Sequence, residues 1–517
     1  MTAGDPGTGW AEEALGLLLG RVGETAEQVG DRFPLYADPV HGRWTTTGRG
    51  SWTGGFWAGL LRLRARHTGS RTDHARATAA TARLASWVGA DTATRGLILW
   101  YGTALADEAE GACTGIGTKR ERATEAAVAD SSGGKGGGGH ESRGDAPDAV
   151  AMHGQALKGA LAHGGHGGHG SGGAGGKGGD GPEGRGGAVG QAVGVGAACG
   201  RATETAVADG SGGNGDGTDE RRRGGHGEAA SVGGTASVGV LRQRAADAVL
   251  AGFDPVLGLV PWGSALGGPR LRARADGVPG LVPLLATAGP EGRAAAAAHL
   301  HRHLDLCLPP TAARRPVPAW RRDAAGGWTA EADPAPGWTR GEAWLLLAVA
   351  DALTCAADDD PAVWRVGRLT DAAELLLHSC AFLTGPLVPP ADARRPEGPS
   401  DTSAAAIGAV ALLKLARVPG AAAWAPACAA RAAAVLHRLA SPAHLTRPAG
   451  CLPADSLAAG SLPPGSVPPG SLPAGMLLGG CYDARGGTAV RHELVWGDYF
   501  LALGLAALLG RADLRRV

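Results

Sequence analysis

Six short motifs, punctuated by glycine and rich in tryptophan or carboxylate, recur along the chain, and each opens a segment of apolar helical periodicity. They are Ser51-Trp52-Thr53-Gly54-Gly55-Phe56-Trp57, Thr94-Arg95-Gly96-Leu97 running into Trp100-Tyr101-Gly102, Asp276-Gly277-Val278-Pro279-Gly280, Trp338-Thr339-Arg340-Gly341-Glu342-Ala343-Trp344, Asp401-Thr402-Ser403, and Trp496-Gly497-Asp498-Tyr499-Phe500. One plain amphipathic helix lies between successive motif helices, so the specialised residues fall on every second helix. Helices alternating in this way pair as hairpins with the decorated set facing inward. The expectation is an all-α fold, an (α/α)6 barrel whose even-numbered helices form the inner ring and whose odd-numbered ones form the outer.

Apolar periodicity and punctuation place about twelve helical segments near 9–22, 54–68, 72–90, 96–108, 239–252, 279–288, 290–306, 340–356, 361–384, 401–417, 421–440 and 496–509. Strand alternation is scarce. Every one of the 14 Trp, 5 Phe and 4 Tyr lies at or before Tyr101 or at or after Phe253. The stretch 111–238 is dominated by glycine and cannot bury enough apolar surface to offset its chain entropy. It is expected to be a disordered insert in a single discontinuous domain, 1–110 with 239–517. Its internal repeat, Arg122–Asp130 against Arg201–Asp209, reads as duplicated coding sequence rather than a folded repeat. A second Pro/Gly/Ser-rich run, Gly460–Gly475, reads as an extended loop.

Charge excludes some functions. Lys+Arg and Asp+Glu are 49 each, so no basic field exists to hold nucleic acid or an anionic membrane surface. No run approaches about 18 uninterrupted apolar residues, and Met1–Trp10 lacks the features of a leader. The eight cysteines form no Cys-x-x-Cys pair, and Cys355, Cys380 and Cys428 lie within apolar helical runs, which suggests buried thiols in a reduced, cytoplasmic protein.

The motif residues cluster at the N-terminal ends of the even-numbered helices. In an inner ring of parallel helices those ends meet at one mouth, where free backbone N–H groups and dipole ends favour anions. Trp52, Trp57, Trp338, Trp344 and Trp496 at that mouth suit stacking on sugar faces; core packing is the alternative for each of them. Arg340 and Trp344, four apart, share a helical face, and the guanidinium matches either the carboxylate of an acidic sugar or a buried partner, Asp401 or Asp498. Asp276, Asp401 and Asp498 occupy comparable positions, each readable as an N-cap or as a general acid. His299 and His303 share a face without a third metal ligand, so a solvated outer face is expected and no metal site follows. The spaced histidines His163, His166 and His169 read as a composition accident within the insert, and the glycine-rich runs lack the features of a phosphate loop.

Together, Ser51–Trp57, Trp338–Trp344, Asp401–Ile407 and Gly497–Tyr499 resemble the unsaturated glucuronyl hydrolases, glycoside hydrolase family 88, over the chain from about Arg32 onward apart from the insert. The resemblance implies an (α/α)6 barrel that removes a 4,5-unsaturated uronic acid from the non-reducing end of acidic oligosaccharides, with no metal or organic cofactor. It implies Asp276 as general acid and base, Arg340 on the uronate carboxylate, and Trp52, Trp57 and Trp344 shaping the subsites, with Trp338, Asp401 and Ser403 beside them. The sequence departs from the family in two places. Ala93 and Thr94 stand where the family has a His-Asp pair, with Asp91 the nearest carboxylate available as a second catalytic group. Val278-Pro279-Gly280 replaces the Met-Met-Asn that follows the main aspartate. Two alternatives remain: a sugar-binding or regulatory protein on the same barrel, and a related hydrolase acting on rhamnose-linked or saturated substrates.

Overall fold

The computed structural model describes residues 8–106, 234–308, 314–419, 424–448 and 472–517. The predicted insert lies outside them except for its end, because the helix expected at 239 already starts at Gly234. Most of the predicted loop Gly460–Gly475 is outside them as well.

The helices are α1 (Gly9–Val29), α2 (Gly54–Thr68), α3 (Arg71–Arg83), α4 (Tyr101–Thr103), α5 (Gly234–Ala251), α6 (Leu281–Ala286), α7 (Gly289–Cys307), α8 (Thr339–Ala356), α9 (Pro361–Trp364), α10 (Val366–Ser379), α11 (Thr402–Leu415), α12 (Ala425–Leu439) and α13 (Val495–Leu508). Burial divides them into two kinds. Every residue of α11 is buried, and so is nearly all of α8 and α13, as expected for helices apolar on all sides and enclosed by neighbours. By contrast, α10 and α12 bury one stripe each.

Contacts among the enclosed helices form a closed circuit. α2 packs on α4 and on the π-helical turn Gly96–Trp100 before it, that turn on α6, α6 on α8, α8 on α11, α11 on α13, and α13 on α2. The striped helices cover this circuit: α1 lies on α13 and α2, α3 on α2, α5 and α7 on α6, α10 on α8, and α12 on α11. Along the chain, covering and enclosed helices alternate.

Several predicted helices are shorter or broken for local reasons. Arg365, at φ +50°, cannot continue a right-handed helix and separates α9 from α10. Gly280, at φ +69°, delays the start of α6 to Leu281. A Cβ at Gly96 would stand 2.1 Å from the Leu281 backbone nitrogen, so only glycine lets the π turn and α6 begin in direct contact.

Seven short strands went unpredicted. β1 (Phe33–Ala37), β2 (Trp44–Thr47), β6 (Gly480–Asp483) and β7 (Thr488–Leu494) form an antiparallel sheet in the order β2-β1-β7-β6. β3 (Arg272–Arg274), β4 (Ala319–Arg322) and β5 (Trp328–Ala330) form a second. Both feed the starts of enclosed helices: β7 runs directly into α13, and β3 into the 3-10 turn Ala275–Gly277 ahead of α6. Among the described residues no helix is long and apolar enough to cross a membrane, and the described cysteines, Cys307, Cys355, Cys380, Cys428 and Cys481, are free thiols.

Candidate functional site

The N-terminal ends of the enclosed helices meet, and the sequence motifs meet with them. Trp52 packs at 4.7 Å and a 46° tilt on Trp496, the second residue of α13, which is itself 0% exposed and so part of the core beneath rather than an open stacking face. Tyr482 of β6 completes a triangle with them, 6.1 Å from Trp52 and 5.4 Å from Trp496, and its hydroxyl accepts a hydrogen bond from Trp52 Nε1 at 3.4 Å. Tyr36 and His492 extend this aromatic surface along the sheet, Tyr36 lying 6.3 Å from Tyr482 and 5.6 Å from His492.

Asp276 occupies the 3-10 turn before α6 with 21% of its side chain exposed, whereas Asp401 and Asp498 are 0% and 3% exposed. Of the three motif aspartates it is the accessible one. It caps no helix; instead Arg274 grips it with two hydrogen bonds, Nε to Oδ1 at 3.0 Å and Nη2 to Oδ2 at 3.2 Å. The guanidinium in turn lies 4.8 Å over the ring of Trp262. Asp276 is near enough to Tyr482 for its negative charge to add to the burial that raises the phenol's pKa, against the opposing hydrogen bond from Trp52 and the charge of Arg340. The turn that carries Asp276 packs on α8, the helix whose Arg340 holds the Tyr482 carbonyl.

The turn beneath Asp276 rests on a histidine. His299 Nδ1 accepts from the Val260 N–H at 3.0 Å, and Nε2 lies 3.3 Å from the Gly277 carbonyl. His303 Nδ1 sits 2.8 Å from the His299 carbonyl. The solvated outer face expected for this pair is wrong: they are 0% and 1% exposed. Burial drives His299 well below its ordinary pKa and lowers His303 to about 4, so both are neutral supports.

Other candidate residues serve the scaffold. Arg340, 3% exposed, donates through Nη1 to Asp401 Oδ2 at 2.5 Å and to the Cys481 carbonyl, and through Nη2 to the Tyr482 carbonyl at 2.7 Å. Of the two readings of Arg340 the buried pair is the one present, with Nη1 and Nη2 both bonded within the chain. Trp338 and Trp496 flank the guanidinium at 5.3 and 5.6 Å. Asp401 caps α11, accepting from the backbone of Ser403 at 3.0 Å and Ala404 at 3.3 Å and from Ser403 Oγ at 2.5 Å. Ser403 is itself fully buried, so neither residue faces a ligand. Trp57 and Trp344, 4% and 1% exposed, are core residues rather than open subsites. Trp344 stacks on Phe56 at 6.2 Å, within a cluster completed by Tyr101, Tyr499 and Phe500.

Asp91 ties two loops together. Its Oδ2 accepts from Ser264 N at 3.1 Å, from Ser264 Oγ at 3.0 Å and from Arg270 Nε at 3.1 Å. Ala93 Cβ is 3.3 Å from the position a Cβ would take on Gly277, the residue after Asp276, and Thr94 Oγ1 bonds Thr92 Oγ1 at 2.9 Å. Among the described residues no group of three His, Cys, Asp or Glu side chains could hold a metal ion.

Trp262, Tyr482, Tyr36 and His492 are the mouth residues sequence reading missed. They sit on short strands or loops without periodicity, and only tertiary pairing brings them to the motif helices.

The fold and mouth define a helical protein in which aromatic side chains lie at the N-terminal ends of enclosed helices, with Asp276 the accessible one of the three motif aspartates. Solved structures with which it shares this fold are unsaturated glucuronyl hydrolases. One, responsible for the degradation of glycosaminoglycan and from Bacillus sp. GL1, is 16% identical, with 96% of each chain covered and a TM-score of 0.58. Another, specific for heparin, is 14% identical, with 98% of this chain and 99% of the other covered and a TM-score of 0.58. A mutant from Streptococcus agalactiae complexed with dGlcA-GalNAc6S is 12% identical, covering 98% and 93%, with a TM-score of 0.54. No protein-family model matches the chain, and no curated protein matches its sequence.

Proposed function

We infer that the closed circuit and its covering helices form an (α/α)6 barrel, and that its mouth is a glycoside hydrolase site that removes a 4,5-unsaturated uronic acid from the non-reducing end of acidic oligosaccharides. The observation that carries this reading is the position of Asp276: the accessible motif carboxylate, fixed by Arg274 and a buried histidine, beside an aromatic surface suited to sugar rings. In the proposed reaction the Asp276 carboxyl protonates C4 of the vinyl ether. The resulting carboxylate takes a proton from the water that attacks C5, and the hemiketal opens, releasing the remaining sugar. Arg274 has to release one oxygen before Asp276 can act, and Arg340 is committed to Asp401. Trp52 and Tyr482 shape the adjoining subsite.

A second reading, a sugar-binding protein without turnover, is favoured by Ala93 and Thr94, which put no second carboxylate beside Asp276, and by the tethering of Asp91 to Ser264 and Arg270. Incubation with unsaturated chondroitin and heparin disaccharides decides between them. Loss of the conjugated double bond's absorbance, reduced at least about 100-fold in Asp276→Asn, supports hydrolysis. Saturable binding with no absorbance change supports the second reading, and neither signal rejects both.

A further inference from the structure

The loop that runs from β2 into Trp52 collects three exposed arginines on a rigid frame. Arg32, just ahead of β1, donates through Nε to Thr46 Oγ1 at 2.7 Å and through Nη2 to the Thr46 carbonyl at 3.1 Å. Arg83, the last residue of α3, donates through Nη2 to the Gly48 carbonyl at 2.8 Å and lies 4.7 Å over the ring of Phe33. Arg49, in the loop itself, lies 4.9 Å over Trp87, whose Nε1 donates to the Arg49 carbonyl at 2.7 Å. The three guanidinium groups come from separate elements and anchor on residues 46–49 and the two rings beside them.

Nothing in the fold neutralises them. Among the described residues none of the three forms an ion pair, whereas the likewise exposed Arg270, Arg394 and Arg485 each face an aspartate, Asp91, Asp392 and Asp333, at 3.1, 2.8 and 3.7 Å. Each of the three keeps N–H groups that no acceptor among those residues takes. A guanidinium fork matches two oxygens of an anion, and stacking already orders these forks, so a ligand freezes little further rotamer freedom.

The same loop leads tightly to the mouth. A Cβ on Gly50 would stand 3.0 Å from the Gly54 Cα and 3.2 Å from the Phe33 ring, and Ser51 takes φ +48° to turn the chain toward Trp52. Three residues separate Arg49 from Trp52, at most about 11 Å of extended chain. We propose that Arg32, Arg49 and Arg83 form an outer subsite for the sulfate or carboxylate groups of an acidic oligosaccharide whose nearer ring rests on Trp52. This rests on the reading of the mouth as a sugar site, and it adds a preference for chains longer than a disaccharide.

The test is isothermal titration calorimetry of the full chain with an unsaturated heparin disaccharide, the corresponding sulfated tetrasaccharide, and a desulfated tetrasaccharide that keeps only its carboxylates. The parent should bind at least one tetrasaccharide at least tenfold more tightly than the disaccharide, and which one shows the anion that is met. The triple variant Arg32→Gln/Arg49→Gln/Arg83→Gln should erase that ratio and flatten the salt dependence of tetrasaccharide affinity, whereas Arg244→Gln, which removes an exposed charge on α5, should keep the ratio. If the triple variant does not melt cooperatively, Arg49→Gln decides, with at least a threefold fall in the ratio. Equal affinity of the parent for all three sugars, a variant that keeps the ratio, or an oligodeoxynucleotide of equal charge bound as tightly as the tetrasaccharides overturns the proposal. Disaccharide turnover without any tetrasaccharide advantage sinks this inference alone, and tetrasaccharide binding through the arginines without turnover sinks the proposed reaction alone.

Discussion

Arg340 and Asp401, 61 positions apart, meet at 2.5 Å across the starts of two neighbouring helices, with 4% and 0% of their side chains exposed. The same arginine holds the carbonyls of Cys481 and Tyr482, so one side chain joins α8, α11 and β6 beneath the aromatic mouth. Removing one member of a buried pair leaves the other uncompensated, at a cost of about 3–5 kcal/mol. Asp401→Ala should therefore lower stability by that order in urea melts. If Arg340 served mainly to bind a ligand, the loss would be small without sugar and would appear instead as weakened binding.

Asp91 gives an opposite expectation. Because Ser264 and Arg270 hold its carboxylate, Asp91→Asn should leave kcat on an unsaturated disaccharide within about threefold of the parent, far from the 100-fold or greater loss typical of a removed acid or base. A loss as large as that of Asp276→Asn would make Asp91 the second catalytic carboxylate.

Trp52 and Trp344 come from equivalent tryptophan motifs yet have different surroundings. Trp344→Ala should cost about 3–5 kcal/mol of stability by hollowing the aromatic core. Trp52, partly exposed on the mouth, should cost less stability on truncation and should weaken sugar binding by about two- to tenfold, the loss expected for a stacking contact of about 0.5–1.5 kcal/mol. Melting curves and sugar titrations of the two variants separate the roles; equal losses in both measurements would contradict them.

Asp498 predicts a pH effect. It lies buried beside Glu493, with Arg21 the shared cation, and burial together with the Glu493 charge lifts its pKa well above the ordinary range. The native state thus keeps a proton that the unfolded chain loses near about pH 4, so this group makes stability fall as pH rises above that value. Asp498→Asn removes the titration while leaving Arg21 to Glu493. Urea melts between pH 4 and 8 should show a shallower decline for the variant, and parallel curves would refute the assignment.

Much of the helical framework was legible because burial on all sides and burial along one stripe leave different apolar patterns, as α11 and α10 show. The strands were not: β3 and β5 have three residues each, too few for alternation to register, and β3 finds its partner β4 45 to 49 positions away. For the same reason Tyr482 and Trp262 could not be placed at the mouth. Arg340 illustrates a different limit, since spacing brings it to the right helix turn but does not say whether a carboxylate of the chain or of a ligand will meet it. His299, His301 and His303 give α7 a polar appearance, yet all are buried: the Val260 backbone and the turn below Asp276 meet His299, the Trp364 carbonyl meets His301, and the His299 carbonyl meets His303.

Phe56, Tyr101, Trp344, Tyr499 and Phe500 are each between 0% and 2% exposed, so not even water fits beside their rings. The centre of the helical circuit is a bulkhead rather than a bore. On the proposed reading, whatever enters at the Asp276 mouth must leave by the same door, and product has to clear before the next molecule can dock. Anything passed from that mouth to the opposite ends of the helices would have to travel through movement of the helices themselves, not by diffusion between them.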